Sequence, residues 1–240
     1  METLRYFRRA DLTAESKKAD FDPVTVADRD AEKAMRTILD EARPEDGILG
    51  EEFGVKEGTS GLTWVLDPID GTRGYISGTP TWGVLIAVGG AGGPELGVID
   101  QPYTGERFMG GGGRAVMTGP LGEHPLKTRA TTRLSEATLF TTFPEVNTPA
   151  DAAAFRQVAE KVQLTRYGCD CYAYALLAAG HIDLVIEAGL QPYDIQAPIA
   201  VIEAAGGIVT DWSGKPAYKG GRALAAATPE LHAAAMELLA

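Results

Sequence analysis

The amino-acid sequence predicts a layered protein of the α/β (α+β) class. Three observations carry that expectation. Strand-like apolar runs and segments of helical period mix along the whole chain. Neither an internal repeat nor a low-complexity tail interrupts them. At 240 residues the chain can bury a large core, as one compact unit or two closely packed halves.

The first element is a helix over 28–42, where Ala31, Ala34, Met35, Ile38 and Leu39 fall on one face and Pro44 follows the end. Residues 48–52 form a short strand or turn that runs into a loop. Residues 62–66 read as a short buried strand that stops at Pro68, since proline donates nothing to a sheet ladder. Strands over 81–88 and 95–100 are joined by a glycine-rich hairpin loop. The glycine run 110–113 lacks the Gly-Lys-Ser/Thr ending of a P-loop and reads as another hairpin turn. A second half begins near residue 125, so that 1–124 and 125–240 form two halves of one unit. It opens with a strand over 137–141 and a helix over 151–162, whose apolar face is Phe155, Val158, Ala159 and Val162. A helix over 172–179 closes at Gly180, and 182–186 is a continuous apolar run, as in a strand covered on both faces. A helix over 195–205, strands over 208–211 and 223–226 and a helix over 229–239 complete the chain.

Composition narrows the function. Apolar content of 45% and charged content of 23% are ordinary for a soluble globular protein. A net charge of −11 makes a poor nonspecific nucleic-acid binder, because phosphates are repelled. Phosphate substrates stay compatible with that charge where metal ions invert the local field. No apolar stretch reaches membrane-spanning length, and the opening Met1-Glu2-Thr3-Leu4-Arg5 lacks a hydrophobic signal core. Cys169 and Cys171 are too close in sequence for an easy disulfide and too few for a zinc site. They read as reduced thiols with a packing role, and cytoplasm is the expected location.

The most informative stretch is Trp64-Val65-Leu66-Asp67-Pro68-Ile69-Asp70-Gly71-Thr72. A turn after the strand places Asp67 and Asp70 near one point, where two carboxylates repel each other. A hard cation removes that conflict, and Mg²⁺ takes oxygen ligands that it shares with substrate phosphate. Gly71 lets backbone approach a ligand closely, and Thr72 adds a hydroxyl. A turn with capping aspartates explains the bare Asp-x-x-Asp-Gly-Thr pattern equally well, so other segments decide. Glu51 and Glu52 end an apolar strand, and Glu187 ends a buried one. Asp194 opens a helix, where a helix cap is the simplest reading of it alone.

Together these motifs resemble the inositol monophosphatase family of metal-dependent sugar-phosphatases. The matching blocks are Asp22-Pro23-Val24-Thr25-Val26-Ala27-Asp28, Gly50-Glu51-Glu52, Trp64 through Thr72, Pro192-Tyr193-Asp194 and Glu203-Ala204-Ala205-Gly206-Gly207. The resemblance implies a five-layer α-β-α-β-α sandwich with an acidic pocket between the halves. It implies that Glu51, Asp67, Asp70 and Asp194, with the carbonyl of Ile69, hold two or three Mg²⁺ ions. Gly71 and Thr72 would turn backbone N–H groups toward the substrate phosphate at a helix start. Asp28, paired with Thr72, would help polarise the attacking water, and Lys17 matches a lysine near a loop that closes over the site. A homodimer and inhibition by Li⁺ are further family expectations. Family members begin with a long helix ahead of the segment matching Tyr6-Phe7-Arg8-Arg9, where only a few residues stand here; no metal ligand is lost by that. Phosphomonoester hydrolysis is among the slowest uncatalysed reactions, and two metals held by shared carboxylates suit it.

Within the family the chain looks most like the histidinol-phosphate phosphatases. The likeness lies in Asp70 through Gly83, in Arg166 through His181 and in Glu187 through Asp194. Inositol phosphatases usually carry a second Thr and an Asn where Arg73 and Gly74 stand, and small neutral residues where Asp170 stands. Histidinol phosphate carries an ammonium and an imidazole, which a carboxylate at Asp170, with Glu187 near, would pair. Arg166 would hold the phosphate or order Asp170, or form a purely structural ion pair with it. His124, His181 and His232 stand in no metal-ligand spacing. Rival readings are the same chemistry on inositol phosphate, fructose 1,6-bisphosphate or 3′-phosphoadenosine 5′-phosphate. A silent metal- and phosphoester-binding sensor and a calcium-stabilised scaffold are the others.

Overall fold

The computed structural model describes residues 2–16 and 23–239. A short antiparallel ladder of β1 (Ala14–Ser16) and β2 (Pro23–Thr25) leads into α1 (Val26–Ala42). The helix starts two residues ahead of its expected position because Thr25 caps it. The Thr25 hydroxyl accepts the Ala27 N–H at 3.1 Å, and Asp28 accepts the Thr25 N–H at 2.8 Å. The buried face of α1 also differs from expectation. Ile38 is 64% exposed, whereas Asp28 and Glu32 are buried beside Ala27 and Ala31.

The first sheet has eight strands: β3 (Gly47–Gly50), β4 (Gly54–Lys56), β5 (Thr63–Asp70), β6 (Gly83–Gly90), β7 (Gly93–Gln101), β8 (Glu106–Gly111), β9 (Arg114–Gly119) and β10 (Gly122–Pro125). From β5 to β10 it is an antiparallel meander, while β3 joins β5 in parallel. Contrary to the expected stop at Pro68, β5 runs on to Asp70. Asp67 pairs with Leu85 and Asp70 with Gly83, so β5 carries one extra residue there. That bulge accommodates the missing N–H of Pro68. The short helix α2 (Thr72–Ile76) follows at once.

The second sheet begins at Thr138. It consists of β11 (Thr138–Thr141), β12 (Leu164–Tyr167), β13 (Leu184–Leu190), β14 (Ile208–Thr210) and β15 (Gly221–Ala226), in the order β12-β11-β13-β15-β14. Four helices accompany it: α3 (Pro149–Ala159), α4 (Cys171–Ala178), α5 (Pro192–Ala204) and α6 (Pro229–Leu239). Val162, expected on the face of α3, lies beyond its end.

The layers follow the apolar pattern. In β13, Val185 points into the core shared with α4 and α5, while Leu184 and Ile186 point into the core shared with α3 and α6. Ala225 and Leu224 of β15 divide in the same way, as the two-residue period of a strand buried on both faces requires. Helices α4 and α5 thus lie between the sheets, α3 and α6 cover the outer face of the second, and α1 and α2 pack outside the first. Helix α5 lies unusually close to the first sheet. A Cβ on Gly97 would come within 2.5 Å of the Ala197 carbonyl oxygen, and one on Gly110 within 2.4 Å of Val201 Cα. The result is an α-β-α-β-α sandwich. Among the described residues no helix is long and apolar enough to cross a membrane.

Candidate functional site

The strand pairing brings the acids together. Gly50 of β3 lies opposite Leu66 of β5 in a parallel pair, so both strands deliver their next residue, Glu51 and Asp67, at the same end. The Glu51 N–H donates to the Leu66 carbonyl at 3.2 Å and fixes that register. In a regular strand Asp67 and Asp70, an odd number of residues apart, would face opposite ways; the extra residue of the bulge turns them to the same side. Asp67 is 2% exposed and accepts the Ile69 N–H at 3.0 Å. Asp194 arrives from the second half, in the first turn of α5, where it accepts the Gln191 N–H at 2.7 Å. Carboxylate oxygens of Asp67, Asp70 and Asp194 lie within 4.8 Å of one another.

This convergence is electrostatically unfavourable without a cation. Burial pushes the Asp67 carboxyl well above its ordinary range, and Glu51, Asp70 and Asp194 push it further. Asp70 is raised well up by burial and by Asp170 and Asp194, although the Cys171 N–H, 2.6 Å away, favours its ionised form. Burial lifts Asp194 to about 7, against the Gln191 hydrogen bond and helped by Glu51. An all-oxygen, anionic, water-poor donor set of this kind fits a hard divalent cation such as Mg²⁺.

Beside the acids lies a cavity of about 300 Å³, lined by Glu51 and Thr72 from the first half and by Asn147 and Asp194 from the second, among others. Gly71, the residue before α2, has φ 83°, and a Cβ there would sit 2.7 Å from Asp170 Cγ. Only glycine meets both conditions. The Thr72 hydroxyl stands 3.1 Å from the Ile69 carbonyl oxygen and 3.4 Å from Asp28 Oδ1. The other oxygen of Asp28 is held by the N–H and hydroxyl of Thr25, at 2.8 and 2.6 Å. Asp28 thus reaches the site through Thr72.

Against Gly71, Asp170 precedes α4 with φ 46°. Burial lifts its carboxyl to about 7, with Glu187 adding to the rise and Arg73 opposing it. Glu187 is buried with both oxygens engaged: Oε1 accepts the N–H and hydroxyl of Thr142, and Oε2 accepts the Tyr174 hydroxyl at 2.8 Å. Arg73 lies 5.0 Å above the centre of the Phe143 ring. Arg166 is not brought to the site: it lies exposed on β12, outside the cavity wall, and the cation that bears on Asp170 is Arg73. Gly168, with φ 86°, turns the chain between Arg166 and Asp170. Lys17 lies outside the described residues. Sequence reasoning missed Phe143, Asn147, Thr142 and Tyr174, which no local pattern marks. It also missed Glu32, one helical turn after Asp28, whose signal was an acid on the buried face of α1.

Comparison with known proteins identifies relatives of the whole chain. A family model described as "Inositol monophosphatase family" matches residues 2–240. The "Bifunctional phosphatase IMPL2, chloroplastic" of Arabidopsis thaliana is 48% identical over 214 residues, 88% of this chain; the chain spans 60% of that relative's length. A histidinol-phosphatase of Chlorobaculum parvum is 36% identical over 94% of this chain and 86% of its own length. A solved structure of an inositol monophosphatase from Zymomonas mobilis superposes with a TM-score of 0.86 at 38% identity, covering 99% of this chain and 91% of that one.

Proposed function

The chain belongs to the inositol monophosphatase family of metal-dependent phosphomonoesterases, and from that premise we propose that it hydrolyses L-histidinol phosphate with Mg²⁺, in histidine biosynthesis. Glu51, Asp67, Asp70 and Asp194, with the Ile69 carbonyl, would hold two or three ions. Bound Mg²⁺ supplies positive charge against the phosphate and lowers the pKa of the attacking water. The chain's own groups do the rest. Gly71 and Thr72, at the start of α2, would turn backbone N–H groups toward the phosphate oxygens. The Thr72 hydroxyl, within reach of Asp28 Oδ1, aligns the nucleophile and passes its proton toward that buried carboxylate. A homodimer in the cytoplasm belongs to the same proposal.

The choice of substrate rests on one observation: Asp170, a carboxylate on the cavity wall against Gly71, next to the converged acids. A substrate with an ammonium and an imidazole gains a charge-assisted contact with it; a polyol gains none. Glu187, whose oxygens already accept from Thr142 and Tyr174, would act on that end of the substrate through its nearby charge rather than by direct contact. The Chlorobaculum relative's name supports the same choice. The second reading, hydrolysis of inositol 1-phosphate, is favoured by the likeness to the Zymomonas inositol monophosphatase.

A phosphate-release panel on histidinol phosphate, inositol 1-phosphate, fructose 1,6-bisphosphate and 3′-phosphoadenosine 5′-phosphate separates the readings. Histidinol phosphate is expected to give the highest kcat/KM. Loss of one charge-assisted contact in Asp170→Asn is expected to lower that value by roughly 10- to 100-fold, with a much smaller effect on inositol 1-phosphate. Preference for inositol 1-phosphate, or an Asp170→Asn variant with unchanged histidinol-phosphate turnover, overturns the assignment.

A further inference from the structure

Behind the acidic cluster, a second carboxylate holds the turn that carries Glu51. Glu32 of α1 is 0% exposed. Its Oε2 accepts the Glu52 N–H at 2.6 Å, and its Oε1 accepts the Phe53 N–H at 3.2 Å and Arg36 Nε at 2.7 Å. Arg36, one helical turn on, also donates to the Gly54 carbonyl and lies over the Phe53 ring. Gly50 leaves the room: a Cβ there would lie 1.9 Å from Glu32 Oε1. Glu51 is therefore clamped on both sides. Its own N–H is tied to Leu66 of β5, and the next two N–H groups are tied to Glu32.

We propose that Glu32, braced by Arg36, is a positioning residue that sets the affinity of the Glu51 side of the cluster for divalent cations. This rests on reading Glu51, Asp67, Asp70 and Asp194 as the ion site. The physical basis is direct. A buried carboxylate that accepts two backbone N–H bonds defines the turn far more tightly than solvent does. A ligand held from behind in this way loses less freedom when it binds an ion, and removal of such support typically costs 10- to 100-fold in metal affinity. A purely structural Glu32 would influence stability and nothing else.

The test compares wild type with Glu32→Ala, Glu32→Gln and Arg129→Ala. The last variant breaks the Arg129–Asp183 ion pair, whose partners lie outside the cavity wall, and serves as a stability control. Mn²⁺ alone is titrated into each protein and followed by electron paramagnetic resonance, alongside thermal melting. Glu32→Ala is expected to weaken Mn²⁺ binding by at least about 10-fold. Glu32→Gln, which keeps an acceptor oxygen, is expected to shift it in the same direction by less. Arg129→Ala is expected to lower Tm with no change in Mn²⁺ affinity. Excess Mg²⁺ is expected to restore part of the kcat of Glu32→Ala, with KM for the phosphoester unchanged once ions saturate. A folded Glu32→Ala or Glu32→Gln protein with wild-type Mn²⁺ affinity overturns the role of Glu32 alone. A wild type that binds no Mn²⁺ overturns the ion-site reading itself and the proposal with it.

Discussion

Asp67 shows how one residue carries both the cost and the use of the site. Its carboxylate is buried against Glu51, Asp70 and Asp194, so its charge opposes folding until a cation arrives. With Asp67 as an ion ligand, as proposed, Asp67→Asn is expected to abolish turnover, by more than about 1,000-fold, because several kcal/mol of charge stabilisation would be lost. The same change is expected to maintain or raise the Tm of the ion-free protein and to erase the Mg²⁺-induced rise, which paired thermal melts would show. Asp194 and Asp170 give the pH dependence. Their folded-state carboxyls titrate at about 7 against an ordinary 3.8. With raised folded values, the ion-free protein retains protons that the unfolded chain has lost, so it loses stability as pH rises from about 4 through 7. Mg²⁺ offsets that loss, and its effect on Tm is expected to be larger near pH 8 than near pH 5.5. Asp67 and Asp70 were legible because the motif puts them beside a proline and a glycine. The engagement of Glu187 was not, since Thr142 and Tyr174 come from distant segments. The exposed placement of Arg166 is not legible either, since nearness to Asp170 in sequence says nothing about the turn at Gly168.

Elements buried on both faces were the easiest to read. The run that became the start of β13 announces itself by continuous apolarity, and the bounds of α6 coincide with those expected. Strands β8, β9 and β10 are hard to read because their short apolar runs are cut by glycines or charges and bury at most one face. On α1 the expected face holds at Ala31, Ala34, Met35 and Leu39 but not at Ile38, and apolar periodicity is blind to buried acids that accept backbone N–H groups, as Asp28 and Glu32 do. The bulge in β5 was invisible too, for Pro68 reads locally as a stop and only its pairing with β6 shows the strand continuing. The close seating of α5 makes its own prediction. Gly110→Ala inserts a methyl group into backbone of that helix and is expected to destabilise by about 1–3 kcal/mol, a loss of several degrees in Tm. A urea melt measures it.

At the scale of the molecule, the site lies where the two sheets' territories meet. Asp67, Asp70 and Thr72 come from the end of β5 and the start of α2, while Asp170, Glu187 and Asp194 come from the second half. The sandwich was legible through its motifs rather than through periodicity, which yields helices and strands but not their stacking. A cation held at the proposed site, by Asp67 and Asp194 together, would couple the two sheets. Mg²⁺ is therefore expected to slow amide exchange together at the Glu51–Phe53 turn and at the start of α5, a joint protection that mass spectrometry would resolve. The ion site is tested most directly by anomalous diffraction from crystals soaked in Mn²⁺. Peaks are expected within ligand distance of Asp67, Asp70 and Asp194, with Glu51 on the same cluster. An enzyme that is active with Mn²⁺ yet shows no peak among these carboxylates would contradict it.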